Sequence, residues 1–219
     1  YMPIFEEALD LYDLPMELKY LPIIESALNP VAVSRQGATG LWQFMLGTGK
    51  IYGLKNNSLI DERRDPIKST WAAARYLKDL YAIYQDWNLV LAAYNCGPGT
   101  INKAIRRAGG ATDYWTIYNY LPKETRGYVP AFIAANYIMT YYCEHDICPM
   151  ETQLPSATDT IHIHKDLHLQ QVAEVCSLNI DQLRSLNPQY KKDIIPGNRE
   201  LCVLRLPNNT VSSFIDRQD

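Results

Sequence analysis

A chain of 219 residues, 47% of them hydrophobic, is long enough to bury one good core and to hold a second, smaller one. Its net charge of −3, with no basic run or stripe, argues against a nucleic-acid partner. No apolar stretch reaches the ~18 residues of a membrane helix, and the cysteine spacing matches no zinc pattern, so no membrane span, metal or cofactor is expected.

Residues 3–11 carry apolar side chains at helical spacing, and Asp13-Leu14-Pro15 opens a new turn and helix. That helix sets Leu18, Leu21 and Ile24 on one side and delivers Glu25 at its end, where Asn29-Pro30 is expected to stop it. Ile23, Ile24, Ala27 and Leu28 surround Glu25, and partial desolvation disfavours its charged form. An ordinary Glu is ~0.2% protonated at pH 7, whereas one raised to ~6 is ~10% protonated, a roughly fifty-fold gain in general acid. The plain alternative is a surface Glu closing a helix.

From Pro30 to Gly40 the chain reads as loop, with Ser34, Gly37 and Gly40 as turn residues. Gln43 follows between Trp42 and Phe44; it either meets a sugar hydroxyl or acetamido group or only braces the loop. Asp61-Glu-Arg-Arg-Asp-Pro66 reads as a local ion-pair brace. Ser69 is expected to cap a helix through Tyr84, and Asp86 one over 87–95 that ends at Gly97-Pro98-Gly99 and leaves Tyr94 and Asn95 on its last turn. A short basic helix over 100–108, an aromatic one near Tyr114–Tyr118, and a long one through Tyr142 complete an all-α domain, residues 1–150. The 16 tyrosines against 4 phenylalanines suit carbohydrate stacking, though many will pack in the core.

Residues 151–159 are polar and suit a linker. A strand at 160–164, helices at 168–176 and 180–186, and a strand at 201–206 make a separate βααβ module, residues 160–207, followed by a tail, 208–219. Cys143–Cys148 and Cys176–Cys202 are candidate disulfides, each worth ~2–3 kcal/mol in an oxidising compartment, with Cys96 left over. The alternative is five reduced cysteines acting as small hydrophobes.

Tyr20-Leu-Pro-Ile-Ile-Glu25-Ser26, Gly40-Leu-Trp-Gln-Phe-Met45, Asp61-Glu-Arg-Arg-Asp-Pro66, Ala92-Ala-Tyr94-Asn95 and Glu124-Thr-Arg-Gly-Tyr128-Val129 occur in order over residues 12–141. Together they resemble the lytic murein transglycosylases, in particular the membrane-bound type D group. The resemblance implies a lysozyme-like α domain with Glu25 as the catalytic acid. It also implies a glycan cleft lined by Ser34, Gln43, Met45, Tyr94, Asn95, Glu124 and Tyr128, with Ser26 turned away as a helix-end hydrogen bonder. Cys96-Gly97-Pro98 departs from the family pattern; Cys96 reads as a small side chain, since no His precedes His145. The C-terminal module resembles a LysM domain through Asp181-Gln-Leu183, Leu186-Asn187-Pro188 and Ile195-Pro196-Gly197. Lys165-Asp166-Leu167-His168 replaces the usual Gly-Asp-Thr-Leu turn, and a glycan groove is implied between these four residues and Ile195, Pro196 and Gly197.

Most glycosidases need two carboxylates. The resembled family needs one, because the muramoyl C6 hydroxyl is the nucleophile and the product is a 1,6-anhydro sugar. Two rivals stand beside this reading: a goose-lysozyme-like hydrolase in which Asp61, Asp65 or Glu124 activates water, and a non-catalytic wall-binding protein. The resemblance further implies a monomer acting on peptidoglycan in the periplasm or at the outer membrane. Any export signal or membrane anchor is then expected ahead of Tyr1.

Overall fold

The computed structural model describes residues 1–149, 154–155 and 157–216. Of the expected linker, residues 151–153 and 156 lie outside the described residues, as do 217–219 of the expected tail.

Eight α-helices build the first unit: α1 (Met2–Leu11), α2 (Leu21–Ser26), α3 (Leu46–Ile51), α4 (Pro66–Tyr84), α5 (Trp87–Cys96), α6 (Pro98–Arg107), α7 (Tyr114–Ile117) and α8 (Lys123–Thr140). At the centre, α5 buries Leu89 to Ala93 without a break, which is why it packs α4, α6 and α8 around itself. Phe5, Leu21, Leu41, Trp42, Leu77, Ile101 and Ile117 fill the same core. Trp42 is buried with its indole N–H satisfied by Thr70 Oγ1 at 2.9 Å.

The helix starts correct one expectation. Asp65, followed by Pro66 at the first helical position, caps α4 by accepting from the backbone N–H groups of Ile67 and Lys68. Ser69 lies one turn inside and donates to the Asp65 carbonyl. In α8, Pro130 cannot donate to the carbonyl of Arg126. The Tyr114 hydroxyl takes over, donating to Arg126 O at 3.0 Å and Thr125 O at 3.3 Å.

The second unit pairs β1 (Thr158–Ile163) antiparallel with β4 (Cys202–Pro207), from Thr158 opposite Pro207 to Ile163 opposite Cys202. α9 (Leu169–Cys176) and α10 (Ile180–Leu186) pack beside them. Two elements were not legible in the sequence: the ribbon of β2 (Asp166–His168) and β3 (Ile194–Pro196), and α11 (Asn208–Ile215). Phe214 of α11 enters this core, so residues 208–215 are part of the unit and not a loose tail.

The second unit is not a detached module. Ile60, on the loop before α4, is buried in its core. Ile60 bridges Tyr190, Asp61 N–H donates to Gln189 O at 2.9 Å, and Lys191 N–H donates to Leu59 O at 2.8 Å. Lys55 and Glu200 form an ion pair across the same seam.

Cys143 and Cys148 carry no sulfur–sulfur bond between them. Cys176 and Cys202 pack in the second core, the latter beside the Tyr190 phenol, while Cys143 begins a 3₁₀ turn and Cys148 follows it, both exposed.

Candidate active site

Glu25 sits on the last turn of α2, and the helix ends sooner than Asn29-Pro30 would require. Ala27 (φ +50°) and Leu28 (φ +60°) both adopt the left-handed conformation, and their N–H groups return to Ile23 O (3.0 Å) and Pro22 O (3.3 Å). Two successive left-handed residues without glycine cost roughly 1–2 kcal/mol each. Such strain is found where surrounding structure fixes a side chain for function. Ser26 Oγ donates to the carbonyls of Pro22 and Leu41, facing away from the cleft.

Glu25 opens onto a cleft of about 590 Å³. Ser34, Gln43, Met45, Tyr94, Asn95, Glu124 and Tyr128 line it together with Glu25, so the structure gathers every cleft residue named from the sequence in one place. The wall at 34–45 is a loop folded on itself through the bridges Val33–Thr39 and Thr39–Phe44. In it Ser34 Oγ accepts from Ala38 N–H at 3.0 Å. Gln43 is left-handed (φ +47°) and spends its amide nitrogen on Gly40 O (2.9 Å) and Ala32 O (3.3 Å), so it braces the loop and leaves its side-chain carbonyl for a ligand. Asn95 accepts from Thr125 Oγ1 at 2.8 Å through Oδ1, which leaves its amide hydrogens as donors. Met45 is exposed at the start of α3, and Glu124 is exposed on the first turn of α8.

Burial pushes the Glu25 carboxyl up to about 7; the Tyr128 hydroxyl, donating to Glu25 Oε1, opposes the rise, and the Glu124 charge adds to it. At neutral pH a much larger share of the molecules then carries the proton than for an ordinary glutamate. Burial and the neighbouring Glu25 push the Tyr94 and Tyr128 phenols far up, so both remain neutral donors. Tyr94 donates to Trp42 O at 2.8 Å. Tyr128→Phe removes a donor that favours the anion. Its expected effect is an alkaline limb of kcat/KM moved to higher pH with activity about tenfold lower, read from a pH–rate profile.

Asp61 and Asp65 stand outside the cleft. Asp61 is buried and accepts from Arg63 Nε (2.9 Å) and Nη2 (2.8 Å), while Asp65 caps α4. Glu124 is the one carboxylate besides Glu25 among the described cleft-lining residues. Sequence reasoning missed Tyr76, Thr125 and Gln36, which also line the cleft. Tyr76 lies between Tyr52 (5.1 Å between centroids) and Tyr94 (5.3 Å) with its ring tilted to both, but its position on α4 carries no periodic signal to set it apart from a packing residue.

In the second unit the expected groove residues divide between a short ribbon and a cavity. Asp166, Leu167 and His168 pair with Pro196, Ile195 and Ile194, and Ile195 and Pro196 are buried. Gly197 lies so close to Lys165 that an added Cβ would meet its backbone at 2.3 Å, and His168 caps α9 through Nδ1. Lys165, Asp166 and Leu167 line a cavity of about 300 Å³ together with His162 and His164, with Val172 and Phe214 among its apolar residues.

A helical, lysozyme-like domain with one buried acid of raised pKa at an amide- and phenol-lined cleft defines the class. The chain belongs to the Transglycosylase SLT domain family, whose model matches residues 2–117, and a second family model, "Lytic transglycosylase MltD, LysM-like domain", matches residues 157–219. It is 36% identical over 183 residues to membrane-bound lytic murein transglycosylase D of Escherichia coli K12, covering 82% of this chain and 40% of that relative. It is also 32% identical over 124 residues to the soluble lytic murein transglycosylase of the same organism, covering 54% of this chain and 19% of that one. The crystal structure of the 70 kDa soluble lytic transglycosylase of E. coli superposes with a TM-score of 0.55 at 28% identity, over 65% of this chain and 24% of that chain. The chain thus spans well under half the length of these relatives.

Proposed function

We propose that this chain is a lytic murein transglycosylase that cleaves the β-1,4 bond between N-acetylmuramic acid and N-acetylglucosamine without water. The observation that carries the reading is Glu25: a carboxyl pushed up to about 7 by burial, hydrogen-bonded to Tyr128 and opening onto a cleft of amide and phenol groups. In its protonated form Glu25 protonates the glycosidic oxygen as the bond to C1 breaks. The carboxylate left behind, stabilised by the Tyr128 hydroxyl, takes the proton from the muramoyl C6 hydroxyl as that oxygen closes on C1. Bond cleavage and ring closure balance: the acid ends protonated as it began, and no water is consumed. Amide hydrogens on Asn95 and the carbonyl of Gln43 orient the acetamido and hydroxyl groups, and a positioned donor of this kind is worth ~3 kcal/mol.

Mass spectrometry of digested peptidoglycan tests the reading. Anhydro-ended products support it, and reducing ends alone would transfer the chain to the hydrolases. Glu124→Gln separates the two further. The anhydro product is expected unchanged with kcat within about threefold of wild type and any larger loss confined to KM, because Glu124 lines the cleft but acts on the Glu25 carboxyl only through charge. A hydrolase using Glu124 on water would lose most of its activity.

The reading places the enzyme in the bacterial envelope, periplasmic or outer-membrane-associated, as a monomer. No helix among the described residues is long and apolar enough to cross a membrane. The second unit contacts the same polymer, and its cavity beside Lys165 and Asp166 is the available surface.

A further inference from the structure

Arg63 is buried with four hydrogen bonds to its guanidinium, none of them within regular secondary structure. Nε and Nη2 grip the two oxygens of Asp61, and Nη1 donates to the carbonyls of Gly37 (3.0 Å) and Phe44 (3.1 Å). Those carbonyls stand at the two ends of the segment that bears Ala38 and Gln43 in the cleft wall. One planar cation therefore ties both ends of that wall together, beside the bridges that fold it. On its other side the clamp is tied to the second unit. Asp61, whose carboxylate receives the guanidinium, gives its backbone N–H to Gln189 O at 2.9 Å, next to Ile60, which is only 4% exposed inside the second core.

We infer that Arg63 is a positioning residue through which the docked second unit holds the cleft wall 37–44 in its working shape, so that this unit contributes to turnover on glycans too short to reach it. The chain of contacts is short and rigid: Ile60 anchored in the second core, Asp61 bonded to Gln189, Arg63 on Asp61, and Gly37 and Phe44 on Arg63. Loosening the seam shifts the Asp61 carboxylate, turns the guanidinium and frees one end of the loop. A misplacement of about 1 Å in a reactive site costs up to ~100-fold in rate. The inference rests on the transglycosylase reading for the identity of the reaction, but not for the coupling itself.

A double-mutant cycle on a soluble glycan of two disaccharide units tests it, with Ile60→Ala, Arg63→Lys and both together, assayed well below each melting transition. Lysine keeps the charge but cannot reproduce the four-bond fork. Expected are a roughly tenfold fall in kcat with KM within about threefold for Ile60→Ala, a fall of ten- to a hundredfold for Arg63→Lys, and a double variant no slower than the slower single. Should Arg63→Lys not melt cooperatively, Asp61→Asn takes its place in the cycle. Wild-type kcat in a folded Ile60→Ala variant, or effects that multiply in the double variant, would overturn the coupling. The products separate the two ideas: reducing ends from wild type would sink the transglycosylase reading, while the cycle in rates would still decide the role of Arg63.

Discussion

Glu25→Gln is expected to reduce turnover of peptidoglycan by at least about three orders of magnitude while leaving glycan binding in place. A positioned general acid contributes ~10²–10⁴-fold, and here the same carboxyl must also act as base in the second half of the reaction. Glutamine keeps the shape and can still meet the Tyr128 hydroxyl, but it has no proton to give at accessible pH. The same substitution has a thermodynamic signature. Glu25 is raised from 4.5 to about 7 by folding, so the folded state binds the proton more tightly than the unfolded chain. The stability this supplies is complete below pH ~4.5, declines as pH rises and is gone above the folded value, to a total of about 3 kcal/mol. Glutamine does not titrate. Thermal melts of wild type and Glu25→Gln should therefore lie closer together at pH 4 than at pH 8, with the variant gaining on wild type as pH rises. A fixed difference between the two across that range would mean that Glu25 is not desolvated and that its acid strength is ordinary.

Gly40→Ala is expected to be the most damaging change outside the carboxyl itself. Gly40 has φ +89°, and an added Cβ would lie 1.9 Å from the Arg63 carbonyl oxygen and 2.8 Å from its carbon, both backbone atoms that cannot swing aside. Positive φ alone costs roughly 1–2 kcal/mol, and the clash raises the loss to at least about 3 kcal/mol. A chain of this size would lose about 10 °C in Tm, and with it the span of the 37–44 wall. Gly37→Ala supplies the comparison: its φ is similarly positive at +82°, but a Cβ would meet nothing within 4 Å, so only the conformational cost applies. Calorimetry of both variants checks the pair, and equal melting points would show that the close approach of Arg63 to Gly40 relaxes freely.

The helices and the acid were legible because their signals are local. Asp86 before an apolar run, Gly97-Pro98 after it, and a carboxylate among Ile23, Ile24 and Leu28 announce themselves within a few residues. What escaped is non-local or depends on backbone geometry. The left-handed pair Ala27–Leu28 has no glycine to mark it, and only the packing around α2 imposes it. The β2–β3 ribbon is three residues on each side, too short for an alternating pattern to stand out, and its partners are about thirty residues apart. The seam at Ile60, just ahead of the charged stretch 61–66, gave no local signal, because the partner that buries it lies near Tyr190. One miss had a readable signal: Asp65-Pro66, an acceptor followed by proline, is a stronger helix start than Ser69. In the cleft, motifs named the residues, but the local brace formed by Gln43 and the dual engagement of Arg63 needed coordinates.

The proline in α8 divides that helix mechanically. Residues up to Tyr128 carry the carboxyl's phenolic partner, while beyond Pro130 the helix leaves Ile133, Tyr137 and Tyr141 open to solvent. The two lengths share one fewer rung, and on the inner side the Tyr114 hydroxyl satisfies the carbonyls of Thr125 and Arg126. Bending at the outer length is thus absorbed at the missing rung before it can disturb the oxygen on which the acid's strength depends.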